Sequence, residues 1–308
     1  TNGIRVLAYS KLAIRDGVLK CSDEVSTDQK KVKVGVANYG DLTMTNVDLQ
    51  SGNYLIWGIN NRGNLVLEGN TKIATGTNSD TSDNPTLKRA AINNTPYDYF
   101  YDGVNATINV ADSTVQVGKI VLNDESISTT VNTKGKTVLN LSAGQYGAIE
   151  KTSDGNGIVG NITGGTFSNS VDLTYLADGL KYEVYAGGKY SYFTNINDAV
   201  AAATEDDIVE DFRSPRGDGE DGYTVRLEDN NAVVARIHSF ATSVSLPTLS
   251  KSGYTFKGWK DAEGKTYTSQ YNIPTASNGE IIPPVSDAYV LTAVWSSNSY
   301  YYYSPSTT

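Results

Sequence analysis

The chain repeats itself. Val34-Gly35-Val36-Ala37-Asn38-Tyr39-Gly40-Asp41-Leu42-Thr43-Met44 aligns with Trp57-Gly58-Ile59-Asn60-Asn61-Arg62-Gly63-Asn64-Leu65-Val66-Leu67 at an offset of 23 residues (63 − 40 = 23). Apolar positions fall on apolar positions, and both glycines of each copy coincide. A period in the range of about 20–50 residues marks stacked units, none of which can bury its apolar face alone. A second pair, Gly118-Lys119-Ile120-Val121-Leu122-Asn123 and Gly135-Lys136-Thr137-Val138-Leu139-Asn140, reads as a further instance.

Each unit is expected to be built of short strands. Leu42, Met44 and Val47 are interleaved with Asp41, Thr43 and Thr45, the period-two pattern of a half-buried strand. Gly-Asp, Gly-Asn and Asn-Gly pairs punctuate the strands, and Asn tolerates the left-handed backbone of a turn. The fold class expected is therefore mainly all-β: a right-handed parallel β-helix solenoid whose inward Val, Ile and Leu side chains stack into ladders. Ala106–Val110, Thr114–Leu122 and Gly157–Phe167 are expected as further rungs. The polar stretch Thr75–Thr95 breaks the pattern and reads as an excursion from a rung corner, where binding loops often sit.

Asn161-Ile162-Thr163-Gly164-Gly165-Thr166-Phe167-Ser168, followed by Tyr175-Leu176-Ala177-Asp178-Gly179, resembles the segment that closes β-helix regions in surface proteins of gut Firmicutes and related bacteria. The resemblance implies that the coil ends there. Beyond it, Ile196, Ala199, Val200 and Ala203 share one face of a short helix with Thr194 or Asn195 as its cap. An acidic, Gly-containing stretch then runs from Glu205 to Gly222 and reads as a linker. Tyr223–Leu227 and Ala232–Ile237 are expected to form a hairpin. Gly253-Tyr254-Thr255-Phe256-Lys257-Gly258-Trp259, with Leu291-Thr292-Ala293-Val294-Trp295, resembles the Listeria–Bacteroides repeat, also called the internalin B-repeat. That resemblance implies a small β-grasp-like domain, here with Leu227-Glu228-Asp229-Asn230-Asn231 in place of the family's usual turn. Tyr254, Phe256, Trp259 and Trp295 carry the largest apolar areas and are expected to form its core rather than a ligand platform. The organisation expected is residues 1–190 as the coil with its closing segment, 191–222 as helix and acidic linker, 223–296 as the repeat domain and 297–308 as a Ser/Tyr/Thr tail resembling the start of a wall-spanning linker.

Charge and cysteine content narrow the function. The net charge of −9 and pI near 4.7 repel a phosphate backbone and disfavour a polybasic membrane contact, so neither nucleic acid nor membrane insertion is expected. One cysteine, Cys21, allows no internal disulfide and reads as a buried small hydrophobe. The chain begins Thr1-Asn2-Gly3 and has neither a signal peptide nor an 18-residue apolar run, so any export signal or wall anchor is expected outside it.

Little in the sequence carries chemistry, and no catalytic residue is nominated. His238 is the only histidine, so any Ser-His-Asp or Cys-His system would need it. It reads as a strand-edge residue, and too few ligands exist for structural zinc. The one adjacent pair of aspartates, Asp206-Asp207, lies outside the coil. Oxygen ligands dense enough for calcium occur at Asp206, Asp207, Asp218 and Asp221, in a stretch that reads first as a solvated acidic linker. Arg216-Gly217-Asp218 spells an integrin-type tripeptide. Tyr97, Tyr99, Phe100 and Tyr101 cluster beside Asn93-Asn94, either as a ligand platform or as a cap on the side of the coil. The function expected is a non-catalytic, extracellular bacterial surface adhesin or stalk, attached at the cell surface or wall, binding a host-surface protein or glycan through the face of the coil. The alternatives are a carbohydrate-active lyase or hydrolase with a divergent site, and a structural spacer.

Overall fold

The computed structural model describes residues 2–20, 34–52, 55–75, 89–96, 104–123, 135–152, 157–215 and 221–298. The protein is mostly β, with large parallel sheets. It divides into two compact units, Thr1–Leu180 with Gly188–Ser191, and Lys181–Gly187 with Tyr192–Thr308.

In the first unit the chain visits two parallel arrays in turn. One array is a six-stranded sheet of Asn2–Val6, Val34–Asn38, Trp57–Asn61, Ala90–Asn94, Ile120–Leu122 and Ile149–Lys151, in that order. The other stacks Lys11–Lys20, Asp41–Gln50, Asn64–Glu68, Ala106–Val110, Thr137–Leu141 and Ile158–Ile162, each parallel to the next. The register follows the 23-residue repeat: Val36 lies opposite Ile59, and Leu42 opposite Leu65. The column continues as Ile108 and Leu139, and a second one runs through Met44, Leu67, Val110, Leu141 and Ile162. Interior members of these columns are fully buried, each removing about 1.5–3 kcal/mol worth of apolar surface from water.

Two expectations are corrected by the register. Ile120–Leu122 and Thr137–Leu141 belong to different arrays, so the likeness of the segments around them is not a rung alignment. Ala90–Asn94, assigned to an excursion, is a wholly buried strand paired with Trp57–Asn61. Its Ile92 extends the Val36–Ile59 column and its Ala90 packs with Val34 and Trp57, which a solvent loop could not do.

Where the two arrays meet, a line of buried asparagines joins the rungs. Asn38 Nδ2 donates to Asn61 Oδ1 at 2.8 Å, and Asn61 Nδ2 donates to Asn94 Oδ1 at 2.7 Å. The same amides also reach the other array, donating to the carbonyls of Asn64, Thr107 and Ala106 at 3.0, 3.0 and 2.9 Å.

The two ends of the stack differ. At the first rung Ile4, Leu12, Ile14 and Leu19 are only half-buried. At the last, Thr166–Phe167 pairs antiparallel with Tyr190 and Ser191, and Leu176 bridges to Ile162. Tyr175 lies so close over the column ended by Gly160 that a Cβ there would sit 2.1 Å from the Tyr175 Cα.

The second unit has its own core. Tyr182–Ala186 runs antiparallel to Ile208–Asp211, which lies parallel to Ala232–Ser239. That strand forms the expected hairpin with Tyr223–Asp229, which continues to Tyr289–Ser297 and then Tyr254–Lys260. The helix Ile196–Ala202 is capped by Asn195, whose side chain accepts from Asp198 N at 2.9 Å, and it buries Ile196, Ala199 and Val200. Within the stretch expected as an acidic linker, Ile208–Asp211 is a strand, and Val209 is part of this core. Trp259 is fully buried, its indole N–H donating to Pro247 O at 2.7 Å. Tyr254, expected in the core, is instead 46% exposed, and Phe256 and Trp295 are half-buried. A bulge between Phe256 and Gly258 lets Phe256 and Trp259 share a face, their rings 5.4 Å apart, whereas Tyr254 opens the strand opposite Ser297 and packs against Trp295 at its end. Gly258 has φ 129°, and a Cβ there would meet Tyr267 O at 2.5 Å.

Truncation along one column should reveal the stacking. Leu65→Ala is expected to cost about 2–5 kcal/mol in urea denaturation. Leu12→Ala, at the half-buried end of the same column, should cost less than half as much. Equal losses would contradict the interior placement of Leu65.

Candidate functional site

The same alternation that buries the columns turns their neighbours outward. Thr43, Val66, Asn109, Asn140 and Asn161 occupy successive rungs of the second array in register. Val66, Asn109, Asn140 and Asn161 lie along a groove of about 900 Å³ lined also by Thr45, Glu68, Asp112, Ser142 and Thr163. Adjacent rungs lie about 4.8 Å apart, close enough for carboxamides to bond each other. Asn109 Nδ2 donates to Asn64 Oδ1 at 2.8 Å, Asn140 Nδ2 to Asn109 Oδ1 at 2.8 Å, and Asn161 Nδ2 to Asn140 Oδ1 at 3.4 Å. Asn109 also donates to Leu65 O at 3.2 Å. The result is a row of fixed amides in which Asn140 and Asn161 each retain a second N–H and further acceptor capacity beyond the row.

The groove's two carboxylates are held by their neighbours. Glu68 Oε2 accepts from the Thr45 hydroxyl at 3.0 Å. Asp112 Oδ1 accepts from the backbone N–H and the hydroxyl of Thr114 at 3.0 and 2.7 Å, and its Oδ2 accepts from Gly69 N at 2.9 Å. The Thr114 N–H, then its hydroxyl and the Gly69 N–H, hold the Asp112 carboxyl below its ordinary value. Asp112 thereby ties two rungs together at the rim.

The residues singled out in the sequence lie elsewhere. Tyr97, Tyr99, Phe100 and Tyr101 fall outside the described residues, as do Arg216, Gly217, Asp218 and Cys21. Asp207 Oδ2 accepts from the N–H and hydroxyl of Thr204, both at 2.7 Å. Asp221 contributes its carbonyl to His238 Nε2 at 2.8 Å. Among the described residues no three His, Cys, Asp or Glu side chains gather as a metal-binding group, so Asp206, Asp207 and Asp221 are not brought together.

His238 stands on Ala232–Ser239 with Nδ1 2.7 Å from Glu210 Oε2, so both ring nitrogens are engaged. The next residue, Ser239, points to the opposite face of the strand and donates to Asp211 Oδ2 at 3.3 Å. The two therefore form no nucleophile–base pair. Burial outweighs these hydrogen bonds and pushes the Asp211 carboxyl up.

The amide row was overlooked in the sequence, although a signal for it exists. Ile108-Asn109-Val110 and Leu139-Asn140-Leu141 set an outward Asn between two inward aliphatics, and Gly160-Asn161-Ile162 repeats the placement where Tyr175 covers Gly160.

Asp112 yields a pH prediction. Its folded-state carboxyl lies below its unfolded one, so its tether is fully present above the unfolded value and is lost as pH falls through the folded one. In an NMR titration Asp112 should show a midpoint below 3.8. Thr114→Val should move it upward, and the Gly69 amide should exchange faster below the midpoint. A midpoint at or above the ordinary value would contradict the bonding described. No protein-family model, curated protein or solved structure matches this chain.

Proposed function

We propose that this chain is a non-catalytic piece of a bacterial surface protein, an adhesin or stalk held outside the cell. In this reading the first unit is a right-handed parallel β-helix solenoid that presents a binding groove. The second is a Listeria–Bacteroides, or internalin B-repeat, domain with a β-grasp-like fold. The parallel register and the alternation of the chain between two arrays support the solenoid. The strand Tyr254–Lys260 carries the Tyr-Thr-Phe-x-Gly-Trp part of the motif and pairs with the strand of the Leu-x-Ala-x-Trp motif, which supports the repeat domain.

The observation that carries the binding role is the groove itself. A row of outward amides crosses several rungs, and its members are positioned by one another. Such a surface offers many directed hydrogen bonds along a line and no activated nucleophile. That is the chemistry of holding an extended ligand.

One observation favours an enzyme as the second reading: Glu68 and Asp112 both line the groove, and glycoside hydrolysis uses two carboxyl groups. It also needs one of them protonated at working pH. Asp112 is held in the opposite direction by three hydrogen bonds, which favours its ionised form over the acid's role. A spacer, the third reading, would leave the groove without a role.

An array of glycans and extracellular-matrix proteins, paired with a product assay on polysaccharides in the presence of calcium, separates the three. Retention without product release is expected. Turnover abolished by Glu68→Gln or Asp112→Asn would install the enzyme instead, and an array on which nothing binds would leave the spacer.

A further inference from the structure

We infer that the groove of the first unit takes an uncharged, extended polysaccharide laid across the rungs, with one sugar residue to each rung, and rejects polyanionic chains. The inference rests on the binding role proposed above and specifies its ligand. Three features of the groove carry it.

Charge comes first. Among the described residues lining the groove, the ionisable side chains are Glu68 and Asp112, with no lysine, arginine or histidine beside them. A polymer of uronic acid or a sulfated glycan bears charge along its length and would meet two carboxylates with no counter-charge. The net charge of −9 works in the same direction during approach. A neutral chain meets no such barrier.

Hydrogen bonding comes second. Asn140 and Asn161 each offer a second amide N–H, and Ser142 and Thr163 lie in the same lining. Amides and hydroxyls are donors and acceptors at once, as sugar hydroxyls are, so pairing does not depend on a charge.

Spacing comes third. The rungs are separated by about 4.8 Å, close to the length one sugar residue adds to an extended chain. A polysaccharide running along the stack would therefore present a fresh residue at Asn109, Asn140 and Asn161 in turn. A chain lying along a single strand would meet only one amide of the row.

The test is affinity electrophoresis of the full chain in gels containing a linear neutral glucan, a mannan, polygalacturonate or heparin. Wild type should be retarded by at least one neutral polymer and by neither anionic one. Asn140→Ala should weaken that retardation by about three- to tenfold, the loss of one hydrogen-bonded group, while the protein stays folded at the temperature of the gel. Preferential binding of polygalacturonate or heparin by wild type would overturn the inference and leave the adhesin reading standing. So would neutral binding unaffected by Asn140→Ala, or binding confined to a matrix protein on the array. If neither the gels nor the array registers any ligand, the inference and the binding role fall together.

Discussion

Vertical register between inward aliphatic side chains is the constraint on which the first unit depends. A strand alternates its side chains with period two, so a slip of one residue would turn Leu42, Met44 and Leu49 outward together. The columns alone tolerate a slip of two residues, because apolar would still meet apolar. The buried asparagines do not. Asn38, Asn61 and Asn94 are bonded to each other and to carbonyls of the neighbouring array, and a shifted rung would leave buried amides unpaired, at about 1–3 kcal/mol each. Aliphatic stacking thus supplies the stability, and the amides select the one register in which it is collected.

Much of this order is visible in the sequence, but unevenly. The 23-residue likeness between the second and third rungs is plain because the connection between them is short. The next step, from Asn61 to Asn94, spans 33 residues, so a fixed-period comparison passes over it. The local signal survives: Ile59-Asn60-Asn61 recurs as Ile92-Asn93-Asn94 in register. Insertions at rung corners lengthen the period without disturbing the strands, and segments such as Gly118–Asn123 and Gly135–Asn140 can look alike while sitting in different arrays. In the second unit the helix face and the hairpin followed from periodicity, and the buried Trp259 from its apolar size. The exposed Tyr254 did not, because it is the first residue of its strand and pairs with Ser297 at the end of the neighbouring one, away from the buried Trp259.

The candidate site was the least legible part. Sequence reasoning looked for aromatics, acidic clusters and short motifs, features that stand out along a chain. The amide row does not stand out, since Asn109, Asn140 and Asn161 are ordinary residues at unequal spacings. They become a feature only when parallel pairing brings them onto adjacent strands. The groove is then a direct consequence of the core: whatever register fixes Ile108 under Leu139 also fixes Asn109 beside Asn140. Stability and the proposed recognition share a single geometric cause, and a substitution that loosened the columns would disperse the binding row as well.

Cross-linking tests that register most directly. In a Cys21→Ser background, Thr43→Cys with Val66→Cys places two thiols on adjacent rungs, directly paired and at a strand separation within the range a disulfide spans. Thr43→Cys with Asn109→Cys places them two rungs apart. Mild oxidation should close the first pair nearly completely in the folded protein and leave the second open. Equal closure of both pairs, or closure of the second alone, would contradict the stacked register from which the core, the groove and the proposed function all follow.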